Sequence, residues 1–180
     1  MNTHIRALCF FVLGIIPAVL AFPFQSRAGA ADRVDATDTL AGVKAVYVQI
    51  QPIASNLGND RGLMRRLKRN TENQLRKAGI ELLSEKAYSR LSRTEQYPLA
   101  RLFIALSIYN TGRMDEKMYS IAVQARQLAF LARKPVIKLM SPTWEKRKIG
   151  IEDNPEVVVG LVANMIERFI GDFKMANPRQ

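Results

Sequence analysis

Histidine and cysteine each occur once in this chain, as His4 and Cys9, and both lie in an N-terminal stretch with the features of a secretory signal. Once that stretch is removed, the mature chain contains neither an imidazole nor a thiol. Ser-His-Asp and Cys-His catalytic arrangements are then excluded, as are zinc sites, haem ligation and iron–sulfur clusters built on these two residue types. We therefore predict no catalytic, cofactor-binding or metal-binding residues in the mature protein.

Carboxylates and hydroxyls are the catalytic groups that remain. Two clusters of acidic residues stand out: Asp115 with Glu116, and Glu152 with Asp153 and Glu156. Each group falls in a predicted turn or at a predicted helix start, where acidic residues serve solvation and capping. The chain contains neither a phosphate-binding loop nor a Gly-x-Gly-x-x-Gly motif. An enzyme that uses only carboxylate and hydroxyl groups is the third of three functional alternatives.

The export signal consists of Arg6 as the positive flank, an apolar run over residues 7–22 and a small-x-small site at Ala28–Ala30. This pattern predicts cleavage after Ala30, so that residues 1–30 are a signal peptide and the protein is periplasmic or extracellular. An uncleaved membrane anchor is the alternative, but the run has 16 residues and contains Pro17, whereas a span needs roughly 20. Because Cys9 lies inside the apolar run, we do not expect a lipoprotein.

The charge of the chain favours anionic partners. Its formal net charge is +11, and loss of Arg6 and Arg27 with the signal leaves +9 on a mature chain of 150 residues. That length suits a single domain with a hydrophobic core. A surface of this sign favours nucleic acid, anionic lipid headgroups, acidic polysaccharide or an acidic protein face. The alternative is that the charge confers solubility alone.

A predicted helix over residues 61–78 carries the first group of candidate binding residues. They form a row with i, i+4 spacing that Glu72 interrupts: Arg61, Arg65, Arg69 and Arg76. Such a row can contact phosphates or acidic carboxylates. The alternative is a solvated outer face of an amphipathic helix whose other side packs on a sheet.

A second group of candidates lies on a later predicted strand and consists of Trp144, Lys146, Arg147 and Lys148. One aromatic ring beside three cations could bind a sugar, a base or a headgroup. The alternative is that this single tryptophan closes an edge of the core. A further candidate, Arg126, shares a predicted exposed sheet face with Gln124, where cross-strand pairing is the other explanation.

Periodicity predicts the elements that position these residues. They are strands over 43–50, 80–83, 99–110, 117–131 and 136–151, a helix over 61–78 that ends at Gly79, a short helix from Ser84 to Leu91, and a final helix after Asn154. The first strand–helix–strand unit predicts a parallel pair with a right-handed crossover. The three later strands predict antiparallel neighbours joined by turns at Thr111–Glu116 and Arg133–Pro135.

We therefore predict one α/β (α+β) domain over residues 42–176, with a single mixed β-sheet in the order β-α-β-(short α)-β-β-β-α and two main helices packed on one face. Residues 31–41 are predicted to be a flexible leader and residues 177–180 a frayed tail. The final helix has the clearest signals, because Asn154 can cap it and Pro155 suits its first position.

Several segments resemble a group of uncharacterised exported bacterial proteins over roughly residues 40–178. They are residues 72–80 followed by Leu-Leu-Ser84, Tyr119–Val123, Arg126–Gln127, Ala132–Pro135 and Thr143–Trp144. The β-α-β-β-β-α order is also similar to that of the N-terminal domain of TolB proteins, periplasmic proteins of the envelope-spanning Tol system. These resemblances imply a binding module and bring no catalytic residue.

The sequence thus favours a non-enzymatic periplasmic or secreted module that binds an envelope protein, a secreted protein or another macromolecule. The second alternative is a binder of an anionic polymer or of lipid headgroups that acts through the basic helix face. We predict no cofactor, and the oligomeric state stays open.

Overall fold

The computed structural model describes residues 36–52, 54–55, 61–92, 98–113, 116–152 and 154–178. The predicted signal peptide and the first five residues of the predicted leader lie outside this part of the chain. In chain order the elements are a 3₁₀ turn at Asp38–Leu40, β1 (Ala45–Ile50), β2 (Ala54–Ser55), α1 (Arg61–Lys77), β3 (Glu81–Leu82), α2 (Glu85–Leu91), β4 (Leu99–Asn110), β5 (Lys117–Leu131), β6 (Lys134–Glu152) and α3 (Pro155–Ala176).

The strands form one mixed sheet in the order β3-β1-β4-β5-β6, with β2 pairing to the far part of β4. β1 is parallel to both β3 and β4, which confirms the predicted parallel strand–helix–strand unit. β4, β5 and β6 are antiparallel neighbours, as predicted. The parallel pairing of β1 with β4 joins the two halves of the chain into a single sheet.

The two main helices pack on the same face of the sheet, as predicted. Leu67 of α1 and Phe169 of α3 belong to one buried cluster with Ile104 of β4. The short helix α2 lies on the opposite face, because its Tyr88 stacks on Tyr47 with ring centroids 4.9 Å apart, and side chains alternate between faces along β1. No helix in the described part of the chain is long and apolar enough to cross a membrane.

The predicted helix ends are confirmed where local chemistry determines them. Gly79 follows α1 with φ of 82°, a left-handed conformation that glycine adopts without strain, and the Ile80 N–H donates to the carbonyl of Leu75 at 3.0 Å. Asn154 accepts from the Glu156 N–H at 2.8 Å and so caps α3. Ser84 accepts from the Ala87 N–H at 3.2 Å and caps α2.

The two ends of the folded part meet, and this corrects both predicted boundaries. Leu40 is 0 % exposed although it falls in the segment predicted to be a flexible leader. Asn177, predicted to be part of a frayed tail, donates from Nδ2 to the carbonyl of Leu40 at 3.0 Å and accepts from the Gly42 N–H at 2.8 Å. Packing and hydrogen bonding between distant segments therefore order residues that local composition marks as loops.

β6 is longer than the predicted strand, since Lys134 and Pro135 belong to it and the turn occupies Ala132 and Arg133. The predicted irregularity near Pro142 is present as a register shift: Ala125 pairs with Trp144, whereas Arg126 pairs with Pro142. A bulge of this kind places one extra residue on β6, which bends the strand and changes which side chains share a face.

Gly150 of β6 provides a test of this register. It lies opposite Tyr119, and a Cβ at Gly150 would overlap the buried ring of Tyr119. We predict that Gly150→Ala lowers the free energy of unfolding by about 1–3 kcal/mol. The matched substitution Gly160→Ala in α3 meets open space and should raise it by about 0.5–1 kcal/mol, because alanine favours a helix. Urea denaturation measures both, and equal effects would contradict the observed register.

Candidate binding surfaces

The outer face of α1 presents a compact group of exposed cations. Leu63, Leu67, Thr71 and Leu75 are buried against the sheet, and the opposite side of the helix therefore faces solvent. The exposed cations of its first half are Arg61, Arg65, Arg66, Lys68 and Arg69. Amphipathic periodicity thus places the predicted row where a partner can reach it.

Two of the α1 arginines already have carboxylate partners. Arg66 Nη1 lies 2.5 Å from Glu156 Oε1 at the start of α3. Arg76 Nη2 lies 3.2 Å from Glu72 Oε2, and Arg76 Nη1 donates to Asn73 Oδ1 at 3.2 Å. The predicted row of four therefore divides: Arg76 is engaged within its own helix, whereas Arg61, Arg65 and Arg69 form no ion pair with any other described residue.

A cleft of about 470 Å³ lies between this basic face and the end of β1. It is lined by Tyr47, Val48, Gln49 and Ile50 of β1 and by Arg61, Met64, Arg65 and Lys68 of α1. Among the described residues, β3 pairs with β1 only at Ala45 and Val46, so no described strand pairs with this edge of β1 from Tyr47 onward. A second depression of about 500 Å³ lies along α1 itself, and Arg65 borders both.

The chain topology favours binding at this place. From β1 the chain crosses one sheet face through α1 to reach β3, and from β3 it crosses the opposite face through α2 to reach β4. Open α/β sheets bind ligands outside the carboxyl ends of strands where connections diverge in this way. The cleft at the carboxyl end of β1 thus has a lining that mixes apolar, polar and cationic side chains.

Trp144 is not part of a binding surface. It is 1 % exposed, its ring meets Phe169 of α3 edge-on with centroids 5.2 Å apart, and its indole N–H donates to Asp172 Oδ2 at 2.7 Å. This position agrees with the interpretation that the tryptophan closes an edge of the core. Because the ring is buried, the predicted binding of a ligand by an aromatic ring beside three cations is wrong.

The three cations after Trp144 border one cleft between β6 and α3. Lys146, Arg147 and Lys148 line this cleft of about 250 Å³ together with Asn164 and Arg168 of α3. Arg147 is also engaged with a carboxylate, since its Nε donates to Glu145 Oε1 at 2.5 Å. The structure therefore brings the three predicted cations together at one cleft.

Arg126 lies on the sheet face opposite the two main helices and contacts neighbouring side chains there. Its guanidinium carbon lies 3.7 Å from the centre of the Phe103 ring, and its Nε donates to Gln124 Oε1 at 2.8 Å. Gln124 in turn donates to Glu145. Burial by itself would raise the pKa of Glu145, but hydrogen bonds from Arg147 and Gln124 outweigh it and hold that pKa below its ordinary value. Cross-strand pairing therefore accounts for Arg126.

A smaller cleft of about 310 Å³ opens on the same face beside α2. Tyr88 stacks on Tyr47 there, and the guanidinium of Arg101 lies 5.1 Å from the Tyr88 ring. Burial, followed by the negative charge of Glu85, raises the pKa of Tyr47. The phenol of Tyr47 thus stays protonated at neutral pH and can act as a hydrogen-bond donor.

The carboxylates noted in the sequence line none of the four clefts. Glu156 is paired with Arg66, and Glu152 lies opposite Lys117, which follows Glu116. Asp115 and Asp153 lie outside the described residues. Of the four clefts, only the one beside α2 contains a carboxylate, Glu85. Within the described ranges, no group of three or more His, Cys, Asp or Glu residues could hold a metal ion.

Comparison with known proteins gives no family for this chain: no family model matches it, and no curated protein matches it significantly. The cleft residues outside the predicted candidates are Tyr47, Val48, Gln49, Ile50, Met64 and Lys68. Only the position of α1 beside β1 shows that they share a cleft with the arginines.

Proposed function

We propose that this chain is a non-enzymatic, exported binding module, periplasmic or secreted, that recognises an acidic surface of a partner protein through the basic face of α1. The observation that carries this proposal is the group formed by Arg61, Arg65 and Arg69. These side chains are exposed and have no ion-pair partner among the described residues, although Arg66 and Arg76 of the same helix do.

The cleft beside the arginines supports a protein partner in preference to a polymer. Its lining combines the apolar side chains of Met64 and Ile50 with the cations Arg61, Arg65 and Lys68. Protein interfaces combine a central apolar contact with a charged, solvent-accessible rim. A partner side chain can insert between the arginines, while carboxylates around it pair with the guanidinium groups in bidentate geometry.

The proposal includes export of the protein after cleavage of its signal peptide. It also includes the resemblance to exported bacterial proteins and, in the order of elements, to the TolB N-terminal domain. Intact-mass spectrometry of the native product tests the export step. A mature chain that begins at Ala31 supports export. A product that still begins at Met1 contradicts it and would retain His4 and Cys9.

The second alternative, binding of an anionic polymer or of lipid headgroups through the same helix face, is favoured by the same arginines. Salt separates the two. Affinity for a polyanion falls steeply and log-linearly with added salt because counterions are released, whereas a protein interface with an apolar centre depends less on salt.

Site-specific photo-crosslinking in the cell envelope tests the proposed surface directly. A photoreactive residue at position 69 should capture a discrete protein band in cells. The matched control is the same residue at position 90, because Arg90 is an exposed arginine on α2, across the sheet. Equal capture from both positions, or no protein adduct from position 69, would overturn the proposal.

A further inference from the structure

The last part of β5 and the first part of β6 pair only with each other among the described residues. Pairing of β4 with β5 begins at Arg101 with Arg126, and from Gln127 to Leu131 the described strand β5 pairs with β6 alone. We call residues 127–141 the hairpin arm. The five residues of β5 in this two-stranded part span about 17 Å at the usual rise of a strand.

The base of the hairpin arm is fixed to the core. Gln127 donates from Nε2 to the carbonyl of Thr39 and to Oγ1 of Thr143, both at 2.7 Å. Thr39 Oγ1 donates to the carbonyl of Thr143 at 3.0 Å. These bonds connect the strand pair to the segment before β1, so the arm projects from the domain in a defined direction.

The hairpin arm exposes apolar side chains on both of its faces. The large apolar residues concerned are Leu128, Phe130, Val136, Ile137 and Leu139. Phe130 is 52 % exposed and Val136 is 76 % exposed. Leu128 and Phe130 share one face, and Leu139, which pairs with Ala129, lies on the other. A flat protein surface would cover only one of these faces.

The charges of the hairpin arm are all of one sign. It contains Arg133, Lys134 and Lys138 and no acidic residue, and no Asp or Glu occurs anywhere from Lys117 to Trp144. Lys138 Nζ lies 5.8 Å from the centre of the Phe130 ring, so cation and aromatic ring occupy the same face. A second copy of the arm would oppose cations with cations, whereas anionic phospholipid headgroups complement them.

We infer that the hairpin arm docks on the surface of an anionic phospholipid bilayer. Phe130, Val136 and Ile137 enter the interfacial region, and Arg133, Lys134 and Lys138 bind headgroup phosphates. The arm does not enter the hydrocarbon, because its outer strand edges carry backbone groups that need water or polar partners. This inference is independent of the α1 surface, so either proposal can fail without the other.

Vesicle binding by the exported product tests this inference. Sedimentation with vesicles of phosphatidylglycerol and phosphatidylcholine should show binding that vesicles of phosphatidylcholine alone do not support. The double variant Phe130→Ser with Val136→Ser should weaken binding roughly tenfold or more. The matched control is Met175→Ser, since Met175 is 75 % exposed on α3 and should leave binding unchanged.

A second measurement reports where the arm lies on the vesicle. Val136→Trp places an indole on the arm, and the emission of this variant should shift to the blue when vesicles are added. The emission of wild type, which comes from buried Trp144, should not change. Two results would overturn the inference: equal vesicle binding by wild type and the double serine variant, or a wild-type dimer in solution that the same variant converts to a monomer. The second result would assign the arm to self-association.

Discussion

Replacing Trp144 with alanine should lower the free energy of unfolding by about 3–5 kcal/mol. Trp144 heads the largest fully buried side chains of the described part and joins β6 to α3 through Phe169 and Asp172. Its removal leaves a cavity that neighbouring side chains can fill only in part, and it leaves the Asp172 carboxylate without its donor. For a domain of ordinary stability this is a large share of the total.

Graded variants separate the two contributions of Trp144. Trp144→Phe keeps part of the packing but loses the indole donor, so its cost should lie between that of wild type and alanine. Asp172→Asn keeps an oxygen acceptor and should cost about 1 kcal/mol. Unfolding of all three variants by urea is followed by circular dichroism rather than by fluorescence, because the two substitutions of Trp144 remove the tryptophan signal. A loss below about 1 kcal/mol for alanine would contradict the core position.

Reversing the charge of Arg65 and Arg69 together should weaken partner binding about a hundredfold at low salt. Each substitution, Arg65→Glu and Arg69→Glu, removes a charge-assisted hydrogen bond and places a carboxylate against an acidic partner, at a cost of at least about 1.4 kcal/mol per site. The folded state should tolerate the change. Both side chains are exposed, and exposed substitutions away from packed or paired groups usually change the free energy of unfolding by no more than about 0.5 kcal/mol.

The control for charge alone is Arg90→Glu, which makes the same change on α2. It should alter binding by less than about twofold, because a distant exposed charge is screened at physiological ionic strength. Binding is measured with the partner captured by crosslinking, at several salt concentrations. Equal losses from Arg90→Glu and from the double variant would show that net charge, rather than the α1 surface, governs binding. A steep log-linear salt dependence would favour the polyanion alternative instead.

Local patterns predicted most of the fold. Alternation predicted β4 and β5 with the bounds that are observed, and Ser84, Gly79 and Asn154 predicted the ends of three helices. These features could be predicted because strand periodicity, capping and left-handed glycine depend on residues only a few positions apart. The predicted domain boundaries were wrong where contacts between distant segments determine them. Leu40 and Asn177, for example, are joined by a hydrogen bond although they lie 137 positions apart in the sequence.

The candidate residues show the same division. Amphipathic spacing correctly placed Arg61, Arg65 and Arg69 on one exposed helix face. The spacing contained no sign that Arg66 pairs with Glu156, ninety residues away. Composition marked Trp144 and its neighbouring cations as one cluster. The three cations do line one cleft, but the packing of α3 places the tryptophan in the core.

By itself, the sequence determined the order of the elements, the parallel first unit, the antiparallel second half and the net positive charge, because each follows from composition or from patterns within a few residues. Only the tertiary structure decided that β1 pairs with β4, that Tyr47 and Met64 share a cleft with Arg65, and that β5 and β6 project as an apolar, cationic arm. Those properties depend on which distant segments bury one another, and burial is a property of the packed chain rather than of any local stretch of it.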